Sequence, residues 1–248
     1  MNTAKNYNPI FRFIFVALIL FFSIGGIMIF SNSCNNSSES KNNSEADKVE
    51  KKDVAQNINP ATTMAAIELK TAMRKLWEDH IIWTRNVICC LVDNLPGANE
   101  ATTRLLKNQD DIGDAIKPYY GNDACTKLTE LLHTHITGAA EVVKAAKNNQ
   151  TKMLDEANKK WHENADSISD FLSKANPAWK FDDMKMMMYD HLKLTTDEAV
   201  ARIKKDYDGD VKAYDKVHEE ILKMADMLTD GIIKQYPEKF SGAAIAIK

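Results

Sequence analysis

From about Ala61 the chain repeats one pattern: apolar residues recur at steps of three and four, and each run stops at a proline or a cluster of turn residues. The run Leu69, Met73, Leu76, His80, Trp83, Val87 steps by four and three throughout, the spacing of a single stripe on an α-helix. Pro96, Pro118, Pro177 and Pro237 each fall where such a run ends, as a residue that cannot easily continue a helix should. Two further breaks, "KNNQ" at 147–150 and "DYDGD" at 206–210, carry turn residues instead. The pattern predicts six helical segments, roughly 62–94, 98–117, 122–147, 151–175, 182–206 and 209–236. Sustained apolar–polar alternation is missing, and 9 Gly and 6 Pro are few for a sheet-rich chain. The expected fold is all-α, with short connections that favour antiparallel neighbours. It is a helical bundle of about six helices in three αα-hairpins over residues 61–240, followed by a C-terminal tail, 241–248.

The hairpins carry a weak internal repeat. A shift of 56 places Asn108 on Asn164, Asp110 on Asp166, Ile112 on Ile168, Asp114 on Asp170 and His135 on His191. "ADMLTDGI" (225–232) is a third copy of "ADSISDFL" (165–172). In the other helix of each hairpin His80, His135 and His191 correspond. Each has an apolar residue seven before it (Met73, Leu128, Met184) and four before it (Leu76, Leu131, Met187). Most aligned positions differ; a duplication explains the similarity economically, and shared helical grammar is the plainer alternative.

The N-terminal part follows other rules. Phe13 to Phe30 is an uncharged apolar stretch close to the length a hydrocarbon core requires. Lys5 and Arg12 precede it and Glu39 is the first charge after it. The expected arrangement is therefore a cytoplasmic tail (1–12), a transmembrane signal-anchor (13–30), a polar disordered tether (31–60) and an extracytoplasmic bundle. Cys34 in "SNSC" leaves lipidation as an alternative, and Asn35, Asn36, Asn42 and Asn149 lie in N-x-S/T sequons.

Composition then narrows the chemistry. A 44% hydrophobic content fills a core, and a net charge of −3 offers no broad basic face, so nucleic acid is not an expected partner. The stripe places His80, His135 and His191 toward the core. If alternate helices run in opposite directions, the three imidazoles come to similar heights. Such a layer could bind a transition metal or a haem, or form a polar hydrogen-bonded layer; alternatively each is a core histidine satisfied by a carbonyl or a nearby Asp or Asn. Asn108, Asp111 and Asn164 are the expected hydrogen-bonding neighbours of those histidines, with Asp166 a fourth. A ferritin-like di-iron site is not expected, because His133 of "ELLH" (130–133) lies off the 128/131/135 stripe. Cys89 and Cys90 read as small core hydrophobes far from Cys125, and the methionines at 184 and 186–188 as core filling. No phosphate loop, nucleophile elbow, C-x-x-C or H-E-x-x-H motif is present.

The motifs "LWEDHIIWTR", "LLKNQDDIGDAIKPYYG", "AAEVVKAAK", "NADSISDFLSKANP", "HLKLTTDEAVARI" and "AYDKVHEEILKMADMLTDGIIKQYP" resemble a family of small helical-bundle proteins found mainly in bacteria. The resemblance spans about residues 64–237. It implies a helical domain with these boundaries, draws attention to His80, His135, His191 and Asp226, and implies no reaction. Three functions remain open: a membrane-anchored binding module for an unknown protein or small molecule, a metal- or haem-binding protein, and an enzyme using a His–Asp pair such as Asp215 and His218 for proton transfer.

Overall fold

The computed structural model describes residues 59–241, which are all-helical. The helices are α1 (Met64–Asp93), α2 (Ala98–Lys147), α3 (Thr151–Ala175), α4 (Phe181–Ile203) and α5 (Tyr207–Gln235), with 3₁₀ turns at Pro60–Thr62 and Pro237–Phe240. Residues 1–30, most of the tether (31–58) and the end of the tail (242–248) lie outside the described residues, so the expected anchor does too. Among the described residues no helix is long and apolar enough to cross a membrane.

The ends of the helices follow local chemistry. Thr63 caps α1 by accepting from Ala66 N–H, and Asn94 closes it in a left-handed conformation. Asp206 caps α5 by accepting from Gly209 N–H at 3.0 Å.

One boundary differs from the sequence expectation. The segments expected at 98–117 and 122–147 are the two helical limbs of α2, separated at Gly121, and the first limb runs on past Pro118. A proline this close to a helix end removes a single backbone bond, so the turn falls three residues later. It falls at Gly121, whose φ of 81° and ψ of −178° suit only glycine at low cost. The two limbs then fold back on each other: His133 meets Asp110 at 2.8 Å, and Cys125 Sγ lies 3.5 Å from Asp114 Oδ1. Three antiparallel hairpins result, as the repeat implied.

The helices close into a ring, each packed on its sequence neighbour and α5 returning to α1. The main core runs along the axis, from Met73, Ile81, Ile112 and Ile168 to Met184, Leu192, Ile221 and Ile232. Phe240 is buried beside Tyr119, where it plugs one end. Close by, Gly231 lets the Trp179 indole lie against α5: a Cβ there would stand 1.9 Å from Trp179 Nε1 and 2.7 Å from Cε2. The ring is buried and rigid, so Gly231→Ala forces a backbone shift. It should cost about 1–3 kcal/mol, as overpacking does. In urea the midpoint should fall with little change in slope; an unchanged midpoint would show that α5 moves freely at this contact.

Candidate functional site

The three histidines come together on the bundle axis. The His80 and His191 rings are 5.7 Å apart between centroids, and His135 and His191 are 6.3 Å apart. All three are buried. Each occupies the inward stripe of the first limb of its hairpin, and each Nδ1 meets a side chain of the second limb 29 residues on. His80 meets Gln109 at 3.2 Å, His135 meets Asn164 at 2.9 Å, and His191 meets Glu220 at 2.9 Å. The internal repeat is therefore expressed as three copies of one imidazole–partner contact.

The partners fix the tautomers. Asn164 donates its amide to Leu131 O at 3.0 Å, which leaves Oδ1 to accept from His135 Nδ1–H. Glu220 likewise accepts from His191 Nδ1–H. His80 is the opposite case. Gln109 Nε2 faces Leu105 O at 2.9 Å and Asn108 Oδ1 at 3.0 Å, both acceptors, so an amide nitrogen, which cannot accept, and not an oxygen lies toward His80 Nδ1. Neutral His80 then carries its proton on Nε2, while His135 presents an unprotonated Nε2. Among the described residues no Nε2 of the three is hydrogen-bonded. Burial lowers the pKa of His80 well below the ordinary imidazole value, with repulsion from His191 and His135 adding to it. Burial, again with His191, pushes His135 down to about 3.

The layer divides two apolar cavities. One, of about 30 Å³, is bounded by the three imidazoles with Trp77, Leu132 and Met188, each three residues before its histidine. The other, of about 110 Å³, is bounded by Thr84, Ala139 and Thr195, each four residues after its histidine, and by Val87, Leu105 and Trp161. The smaller has room for a water or two and the larger for a small molecule. Neither approaches the roughly 300–1,000 Å³ of a pocket for a large organic ligand, so a haem does not fit between the helices as packed.

Of the neighbours expected from sequence, Asn164 touches a histidine. Asn108 is one bond removed, donating to Leu76 O at 3.0 Å and accepting from Gln109. Asp111 instead pairs along its helix with Lys107, and Asp166 pairs with Lys185. Both sit on outward faces, one residue or more off the stripe. Gln109 and Glu220 were missed. The signal for them was the repeat read one residue differently, because 80–109, 135–164 and 191–220 keep a constant separation. Asp226 holds Arg74 in a two-pronged ion pair, and His218 faces Glu78 at 3.1 Å instead of Asp215. Cys89, Cys90 and Cys125 are free thiols, and Cys89 and Cys90 are half-buried, not core. Among the described residues no three His, Cys, Asp or Glu side chains are grouped so that they could hold a metal ion.

A second polar cluster lies beyond the larger cavity. Arg85 reaches Glu198 at 2.6 Å and Asp210 at 2.8 and 3.0 Å. Arg202 bridges Asp210, at 3.1 Å, to Asp93. Glu198 and Asp210 are each 1% exposed. Burial holds the Glu198 carboxyl up at about 7, against the pull of Arg85 and with Asp210 adding to the rise. Glu198 stands seven residues after His191 on the same stripe, and an acid at a core position was the available clue. No protein-family model matches the chain, and no curated protein or solved structure matches it.

Proposed function

We propose that this chain is a non-catalytic binding module, held at a membrane by residues 13–30, that takes a small ligand inside its helical bundle. The observation that carries this reading is the partition of the bundle axis by three oriented imidazoles into two apolar cavities. Low pKa values keep His80 and His135 uncharged at neutral pH, which suits an uncharged guest beside them. Among the described residues the side chains hydrogen-bonded to the three rings are Gln109, Asn164 and Glu220, none of them a hydroxyl or thiol nucleophile.

A second reading has one observation in its favour. His135 and His191 donate Nδ1–H to oxygen acceptors, the orientation that metal-bound imidazoles adopt. His80 has the opposite arrangement, so a metal would be left with two imidazoles and would need donors from elsewhere.

Thermal unfolding of the full chain in lipid nanodiscs separates the two. A ligand present at 100 times its Kd stabilises the folded state by about 2.7 kcal/mol, a rise of about 5–10 °C for a domain of this size. Small neutral organic compounds are expected to give such a rise, while Zn and Cu leave the midpoint unchanged. Stoichiometric metal that stabilises the native chain and is lost in both His135→Ala and His191→Ala would replace this reading with the metal-binding one.

A further inference from the structure

Four residues of the larger cavity's wall carry a polar side-chain atom, Thr84, Trp161, Thr195 and Thr196, and two of those atoms are unsatisfied. Trp161 Nε1 and Thr195 Oγ1 are buried without a hydrogen-bond partner, and both residues line it. Trp161 is 3% exposed and Thr195 5%. Thr195 is unusual within its own fold. Thr84, Thr196 and Thr229 each donate the hydroxyl to the carbonyl four residues back, at 2.7–2.8 Å, the default for a helical threonine. Thr195 lies on the inward stripe one turn after His191, and its hydroxyl is not used in that way. Trp161 packs against His135 with ring centroids 5.4 Å apart and is seated close to α2 because residue 138 is glycine. A buried polar atom without a partner is uncommon in a native protein, and two on the wall of one cavity call for a common explanation.

We infer that this cavity binds a small neutral organic molecule with a compact apolar body and one carbonyl or hydroxyl oxygen. Trp161 Nε1–H donates to that oxygen, and Thr195 Oγ1 supplies the second hydrogen bond. This deepens the reading of the chain as a binding module and rests on it. The size follows from the volume: about 110 Å³ is somewhat less than the roughly 150 Å³ cavity that takes benzene, so the guest has about six heavy atoms or fewer. Neutrality follows from the lining, which holds Val87, Ile88, Leu105, Ile136 and Val143 and no Asp, Glu, Lys or Arg. A charge placed there would be desolvated without a partner. Water is a poorer occupant, because at Trp161 Nε1 and Thr195 Oγ1 it would find only the minimum of partners and would leave most of the space beside apolar side chains unfilled. An oxygen-bearing guest satisfies the two polar atoms and fills the remaining space with carbon.

The test uses the full chain in lipid nanodiscs, labelled with ¹⁵N at the tryptophan indoles. The four indole resonances are assigned by single Trp→Phe substitutions, and empty discs correct for partition into lipid. Cyclopentanone is the probe and methylcyclopentane its apolar counterpart. Cyclopentanone is expected to move the Trp161 indole resonance saturably. Thr195→Val, which keeps the side-chain shape, should weaken its binding about tenfold, and Ala199→Leu, which fills the cavity, should abolish it. Methylcyclopentane should bind more weakly than cyclopentanone to the native chain and equally to Thr195→Val. A Trp161 resonance that stays fixed while small organics still raise the unfolding midpoint would overturn this site and leave the binding-module reading standing. If no organic compound changes either readout, both fall. Equal binding of cyclopentanone to native chain and Thr195→Val would overturn the assigned hydrogen bond.

Discussion

The Arg85→Met variant is expected to lose about 3–5 kcal/mol of folding stability at pH 7, the cost of breaking a buried ion pair from one side. Arg85 is the only cation touching Glu198 among the described residues, and it gives two of the three guanidinium contacts to Asp210. Without it both carboxylates stay out of water with too few donors. Glu198 can escape by taking up a proton, since burial already holds its pKa at about 7 with the arginine in place. Asp210 retains Arg202 at 3.1 Å. The loss should therefore shrink when the measurement is repeated at pH 5, and the double variant Arg85→Met, Glu198→Met should recover much of it, because replacing all the charges of a buried pair by apolar groups is far milder than orphaning one. Urea denaturation at the two pH values decides the matter. A loss under about 1 kcal/mol at pH 7 would mean that water reaches this cluster and that its burial is not as described.

Acidification from pH 6.5 to 4 is expected to cost about 3 kcal/mol through His135 alone. The sign follows from where the proton binds. The folded-state pKa is about 3 and the ordinary value is 6.5. Between these limits the unfolded chain takes up a proton that the folded chain refuses, so stability falls as the pH falls through that window and levels off below about 3. His80 is displaced in the same direction and adds to the fall. Glu198 works the other way: its folded pKa of about 7 lies above the ordinary 4.5, so its contribution to stability rises as the pH falls from 7 to 4.5. Comparing the native chain with His135→Gln removes that opposing slope, because Glu198 is common to both. The variant should lose close to one proton's worth of pH dependence between 6.5 and 4. Parallel curves for the two proteins would show that His135 is solvated, and the closed histidine layer would have to be abandoned.

Much of the architecture was legible because periodicity is a local property. The stripe from Leu69 to Val87 places His80 inward whatever lies opposite, and the same spacing does so for His135 and His191. Turn chemistry marked the breaks equally well, except at Pro118. There a proline is tolerated so close to a helix end, and the turn is made by Gly121, whose positive φ carries no signal beyond its identity. The partners of the histidines were legible only in part. Helical phase placed Asn164 correctly, but it ranked Asp111 and Asp166 beside it and passed over Gln109 and Glu220. Which residue of a helix reaches across depends on how the two limbs of a hairpin are rotated and slid against each other, a quantity that spacing within one limb does not contain. The same holds for Arg85, Glu198 and Asp210, brought together from α1, α4 and α5 across more than 100 residues of sequence. The chain alone determined its helices, their inward stripes and the threefold repeat, since these rest on interactions within a few residues. Only tertiary packing decided the tautomers, the two cavities and the unsatisfied Trp161 and Thr195, because each depends on which atoms of distant helices meet and which are left without a partner.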